Sequence, residues 1–190
     1  RLDPRYGKAQ YNRGNAKLLL NEPAAALEDC EAAMLRAENP SETAMMTLAR
    51  STIKMALGDV AGGWEDYEAR FSPALDSNVG FQMGCPRWKP EENLAGKRLL
   101  LMAEQGLGDE VLFANTVPDI LEALGPNGHL TIYIEKRLVS LFQRSFPSAE
   151  VRAHGTFKID GRTLRFAQGV EDWGQFDFWT PMGTALLRFR

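Results

Sequence analysis

Apolar and polar positions follow two different periods along this chain. In the first half they recur at helical spacing, which predicts helices over Ala9–Leu20, Ala24–Ala37 and Thr43–Leu57, with a further helix after Asp59. Asn21-Glu22-Pro23 reads as a tight turn in which Pro23 starts the next helix. Gly58 suits a left-handed helix terminus, and Asp59 suits an N-cap. In the second half short apolar runs alternate with helical spacing. Strands are expected at Lys97–Ala103, His129–Glu135 and Ala149–Ala153. A helical pattern over Asp109–Leu124 carries Val111, Leu112, Val117, Ile120, Leu121 and Leu124, and Pro118 should kink it or start a new turn. Arg137–Ser145 is a second helix, Thr156–Ile159 and Arg162–Phe166 flank the hairpin turn Asp160-Gly161, and Phe176–Trp179 is a further short strand. Strand, helix, strand, helix, strand implies a parallel sheet.

The helical half repeats itself. Gly7–Pro40 aligns with Ala44 to about Phe71, each reading as helix, turn, helix. Small residues fall where paired helices must approach: Gly14 against Ala26, with Ala33 two turns further on, and Gly63 in the place of Ala26. Trp64 and Tyr67 share a face and read as core. Between the halves, residues 72–96 break the helical period with Ser72-Pro73, Gly80, Gly84-Cys85-Pro86 and Lys89-Pro90. Trp88, set between prolines, is expected to pack across the junction; stacking on a substrate is the alternative use of that ring.

Composition narrows the classes. Apolar residues make up 44% and charged residues 25%, a globular balance, and a net charge of -3 gives no basic surface for nucleic acid. No apolar run is long enough to span a membrane. Cys30 and Cys85, His129 and His154 have no zinc-site spacing, so no metal is expected, and two distant cysteines fit a reducing, cytoplasmic setting. The opening Arg-Leu-Asp-Pro, without Met or signal-like stretch, reads as the cut end of a longer protein.

Candidate chemistry gathers in the loop after the first strand, where open α/β sheets bind ligands. Gly106 and Gly108 fit the first two glycines of a dinucleotide fingerprint, and Glu135 stands where a ribose-binding acid would. Val111 occupies the third glycine position, however, and Asp109 and Glu110 put negative charge where pyrophosphate would sit. No Gly-Lys-Ser/Thr follows, so a phosphate-binding P-loop fails. A third reading makes Asp109 a carboxylate positioned at a helix N-terminus to take a proton from an acceptor hydroxyl; the plain alternative is that it only caps the helix.

Two resemblances sharpen these expectations. The first half, over residues 1–71, resembles about two tetratricopeptide repeats cut upstream, with Leu2-Asp3-Pro4 similar to the close of a preceding repeat. Gln10 stands where the repeat usually has a large aromatic, and Ser51 where it has glycine. Such repeats stack into a solenoid whose concave face binds extended peptide. Asn12, Asn15, Lys17 and Arg50 are the groove candidates, an ordinary solvated face being the alternative. The stretches Gly63–Phe71, Pro86-Arg87-Trp88, Gly96–Leu101 and Glu104–Ala114 resemble the junction in bacterial proteins that join such repeats to a glycosyltransferase domain, similar to the heptosyltransferase family of GT-B enzymes.

That resemblance implies a connector at 72–96 and a Rossmann-like parallel α/β domain at 97–190, the N-terminal half of a GT-B fold. It also implies sugar transfer from a nucleotide-activated donor to an acceptor, with a protein held by the repeats as one acceptor class. Asp109 matches the proposed acceptor base, Gly106 and Gly108 shape the loop, and Gln105 and Glu110 are acceptor contacts. Glu104-Gln105 replace the serine-rich lead-in of the heptosyltransferase loop. No covalently bound cofactor or metal is implied. The nucleotide-sugar donor is expected only with a C-terminal domain, so residues 1–190 alone are expected to be inactive. A non-catalytic interaction scaffold, capped by the α/β part, is the alternative.

Overall fold

A computed structural model describes residues 6–75 and 79–190, which form a mixed helical and sheet-containing chain of two compact units divided between Asn78 and Val79. The Leu2-Asp3-Pro4 segment lies outside the described residues.

The first unit is built from α1 (Gly7–Leu19), α2 (Pro23–Met34), α3 (Pro40–Ala56) and α4 (Val60–Tyr67), closed by a 3-10 turn at Glu68–Phe71. Each start has a visible cause. Pro23 and Pro40 sit in the first turns of α2 and α3. Asn39 and Asp59 accept hydrogen bonds from Glu42 N and Gly62 N. Gly58 adopts φ +87° between α3 and α4. The helices pair as two hairpins held close by missing side chains. A Cβ on Gly14 would lie 3.1 Å from Ala26 O, and one on Gly63 would lie 3.0 Å from Ser51 O. Ala26, Cys30 and Ile53 form the buried centre, with Leu18, Leu27 and Met34 around it. Trp64 and Tyr67 meet edge to face at 5.6 Å on the shared face, but both are half-buried rather than in the core.

The second unit has two sheets. The larger contains β2 (Arg98–Met102), β3 (His129–Ile134), β4 (Glu150–Ala153) and β7 (Phe178–Pro181), all parallel, in the order β4-β3-β2-β7. The smaller has the order β1-β6-β5, from β1 (Gly80–Gln82), β5 (Gly155–Ile159) and β6 (Arg162–Phe166). Asp160 and Gly161, both at positive φ, make the hairpin turn between β5 and β6, as their sequence predicts. Leu99 to Met102 are buried throughout because the parallel sheet is covered on both faces. Leu100, Met102 and Tyr133 pack with Ala167 and Phe176 on one of them.

The helices of this unit are shorter than their apolar spacing suggested. The pattern over 109–124 divides into α5 (Leu107–Phe113), a 3-10 turn at Ala114–Thr116 and α6 (Val117–Leu124). Pro118 stands in the first turn of α6, where its missing N–H is harmless. Gly125 closes α6 at φ +67°. A 3-10 turn at Lys136–Leu138 precedes α7 (Val139–Ser145), and Leu186–Phe189 forms α8.

The division between units falls inside the stretch assigned to the connector, and residues 79–96 pack on the second unit. Trp88 N donates to Trp179 O at 2.8 Å and Trp179 N to Pro86 O at 2.9 Å, so the segment runs along the outer edge of β7. The Trp88 ring is 1% exposed, stacks on Phe189 and donates from Nε1 to Glu92 O. That burial removes it from any substrate-stacking role. Among the described residues, no helix is long and apolar enough to cross a membrane.

Candidate functional site

In the parallel sheet the chain order reverses beside β2, which has β3 on one side and β7 on the other. Open α/β sheets present their ligand crevice beyond the strand ends at such a reversal. Two backbone segments leave β2 and β7 there: the loop from Glu104 into α5, and the 3-10 turn at Met182–Ala185. Glu104, 1% exposed, accepts a hydrogen bond from Gly183 N at 2.7 Å and so ties the two together.

The loop turns sharply at Gln105, whose φ of +62° is uncommon for a residue with a side chain. Gly106 is the N-cap of α5 and Asp109 lies three residues on. Asp109 Oδ2 accepts from Gly106 N at 3.0 Å. The capping alternative for Asp109 therefore changes in detail: it closes the first turn from inside the helix rather than standing at the cap. Its side chain is half-buried beside the exposed Gln105, Gly106 and Gly108. A Cβ on Gly108 would meet no atom within 4 Å, so no neighbour in this chain demands glycine there.

Glu110 behaves differently. It is 1% exposed and faces inward. Oε2 accepts from Glu135 N at 2.9 Å, and Oε1 lies 3.2 Å from Arg165 Nη1 and 3.7 Å from His154 Nε2. Such a carboxylate holds the end of β3 and cannot at once contact an acceptor, which corrects its expected role. Arg165 also donates from Nη2 to Gln105 O at 2.5 Å. Arg165 was given no role in the sequence because nothing in a short alternating strand marks which charged residue turns inward.

The dinucleotide reading loses its structural reason. Val111 is 52% exposed, so its position is not one of close helix–strand packing. Glu135 instead pairs with Arg137 at 3.1 Å, and that guanidinium holds its carboxyl below the usual range.

On the helical unit, Asn12 is exposed and Asn15 half-buried. Lys17 and Arg50 are engaged within their hairpins. Lys17 Nζ lies 2.8 Å from Asp29 Oδ2, and Arg50 donates twice to Asp66, at 2.7 and 2.8 Å. Burial pushes the thiols of Cys30 and Cys85 up to about 11, so neither is poised as a nucleophile. Among the described residues no three His, Cys, Asp or Glu side chains gather as metal ligands.

Over all 190 residues the chain is 52% identical to Protein FlbA of Caulobacter vibrioides, and it spans 32% of that protein's length. No family model matches the chain. No solved structure matches it.

Elsewhere in the second unit a cleft of about 310 Å³ is lined by Gln82, Met83, Gly84, Phe166, Ala167, Val170 and Trp173. Its walls come from the segment after β1 and the segment after β6, with the Trp173 indole against Gly84.

Proposed function

We propose that this chain is the repeat segment and first α/β half of a glycosyltransferase-like protein, which moves a sugar from a nucleotide-activated donor to an acceptor. The observation that carries the reading is the place of the Gln105–Asp109 loop, at the carboxyl end of β2 where the strand order reverses. The parallel β4-β3-β2-β7 order supports reading a Rossmann-like half, which the resemblance of Glu104–Ala114 to heptosyltransferases implies. Asp109 is the candidate base, half-buried and open on the side of Gly106 and Gly108. The two helical hairpins are the tetratricopeptide-like part, and Asn12 and Asn15 are its remaining groove candidates for a protein acceptor. Donor binding falls to a second domain. FlbA, of which the matched part is 32%, has length for one.

A second reading is favoured by the hydrogen bond from Gly106 N to Asp109, which is what a purely structural helix start would make. In that case the chain is a non-catalytic interaction scaffold that works through its repeats. The discriminating experiment is nucleotide release by the longer natural protein over a panel of nucleotide sugars, with Asp109→Asn beside it. Asn keeps an oxygen for Gly106 N, so folding is preserved while the base is lost. Release by wild type and its loss in the variant support transfer. Equal activity in both removes Asp109 from the chemistry, and a silent wild type supports the scaffold.

A further inference from the structure

We infer that Arg165 is a positioning residue that holds the Gln105–Asp109 loop in its ligand-facing conformation, reaching it from the β5–β6 hairpin. The role of the loop rests on the transfer reading; the tether itself does not.

The local geometry carries this. Arg165 is a charged side chain 9% exposed, and burying a guanidinium is costly unless both charge and hydrogen bonds are answered. Glu110, deeper still, answers the charge at 3.2 Å. The other arm of the guanidinium donates to the carbonyl of Gln105 at 2.5 Å. Gln105 is the one residue of the loop in the left-handed region without being glycine. A side chain there is disfavoured unless the surroundings fix it. A planar fork that spans one carboxylate and one carbonyl suits that task, and lysine, a point donor, cannot span both. Glu110 in turn is anchored to Glu135 N, so the tether runs from β6 through α5 to the end of β3.

In this arrangement Arg165 reaches the loop from the antiparallel hairpin that follows β4. The hairpin delivers one guanidinium to the underside of the loop, while its turn at Asp160-Gly161 is exposed. Gly106 N, bonded to Asp109, and Glu110 N, bonded to Gly106 O at 3.1 Å, are the loop amides that report on the conformation.

The test is residue-resolved amide exchange on the protein with Arg165→Met, Arg165→Lys and, as a control on the same hairpin, Lys158→Ala. Loss of one charge-assisted bond should speed exchange at Gly106 and Glu110 about tenfold in the Met variant. Arg165→Lys keeps a positive charge by Glu110, so it should stay folded, leave the Leu99–Met102 amides unchanged and still loosen Gly106. Lys158→Ala should change neither. If the Met variant does not fold, the Lys variant decides. Unchanged exchange at Gly106 in the Lys variant, or equal acceleration in loop and strands, overturns the inference. Turnover is measured in parallel. A loosened loop in a protein that turns over no donor sinks the transfer reading and leaves the tether. Donor turnover with an unmoved loop does the reverse.

Discussion

Arg13 grips Asp29 with both arms of its guanidinium across the first hairpin, Nε to Oδ2 at 2.7 Å and Nη2 to Oδ1 at 2.5 Å. Arg50 and Asp66 repeat the relation, also sixteen residues apart. The duplication extends to a lysine in each hairpin. Lys17 bonds Asp29 and Ala25 O, and Lys54 bonds Asp66 and Gly62 O. One carboxylate on the second helix of each hairpin thus gathers two cations from the first.

Asp29→Asn should therefore destabilise the helical unit in a pH-dependent way. The Arg13 hydrogen bonds, then Lys17, hold the Asp29 carboxyl at about 2, against ~3.9 in an unfolded chain. A depressed carboxyl contributes stability above its unfolded pKa and loses it as pH falls toward the folded one. Arg13 is 61% exposed, so after solvent screening the contribution is about 1 kcal/mol. Denaturant melts at pH 7 should separate Asp29→Asn from wild type by that amount, and the gap should close between about pH 4 and pH 2. A constant gap across this window would mean that the ion cluster is not its source.

Gly63 and Gly58 lie close in sequence but should respond differently to alanine. A Cβ on Gly63 would come 2.5 Å from Met55 Cγ and 3.0 Å from Ser51 O, where α4 crosses α3. Met55 can bend away but the carbonyl cannot, so Gly63→Ala should cost about 1–3 kcal/mol by overpacking. Gly58 meets nothing within 4 Å, and its φ of +87° alone sets the penalty, about 1 kcal/mol. Urea melts of both variants check the order.

What could be read in the sequence was what depends on neighbours along the chain. The Pro23 and Asp59 helix starts, the Gly58 stop and the Asp160-Gly161 turn each have a local cause. β2 and β3 carry their own leucine-rich or β-branched runs. Pairing between distant segments was not legible. Gly80–Gln82 is too short and too polar to announce a strand, and it exists because β6 offers it an edge. Pro86–Trp88 settles on β7 through two backbone hydrogen bonds that no periodicity encodes. In the candidate site, Gln105–Asp109 was visible as a glycine loop. Lys17 and Arg50 looked like free cations because their partners lie on the facing helix. Glu110 looked accessible because burial by a hairpin from residues 155–166 leaves no mark on its own helix.

Glu110 should be among the most sensitive positions of the second unit. Glu110→Ala leaves the Arg165 guanidinium buried without its carboxylate and Glu135 N without its acceptor. Breaking a buried pair on one side costs about 3–5 kcal/mol. Glu110→Gln retains an oxygen for Glu135 N and should cost less than half as much. Thermal melts of the two variants would show it, and equal losses would place the importance of Glu110 in its charge beside Arg165 rather than in its packing or its bond to Glu135 N.

The cleft at Trp173 offers a probe that leaves the Gln105 loop alone. An added Cβ on Gly84 would stand 2.5 Å from Trp173 Cγ, closer than atoms tolerate, so Gly84→Ala must push the indole aside. Trp173 is half-buried and packs on Phe176 at 6.3 Å, which leaves it room to yield toward solvent. The cost should therefore stay near 1 kcal/mol, the low end for overpacking. A more solvated indole emits at longer wavelength, so Gly84→Ala should shift the tryptophan spectrum to the red. The same substitution made in a Trp173→Phe background should leave it unchanged, because Trp64, Trp88 and Trp179 stay where they are. Exchange at Gly106 should not move, since neither Gly84 nor Trp173 touches the Arg165 tether. A spectral shift that survives removal of Trp173 would mean that Gly84 supports the edge of β7 through Pro86 and Trp179 instead of walling the cleft.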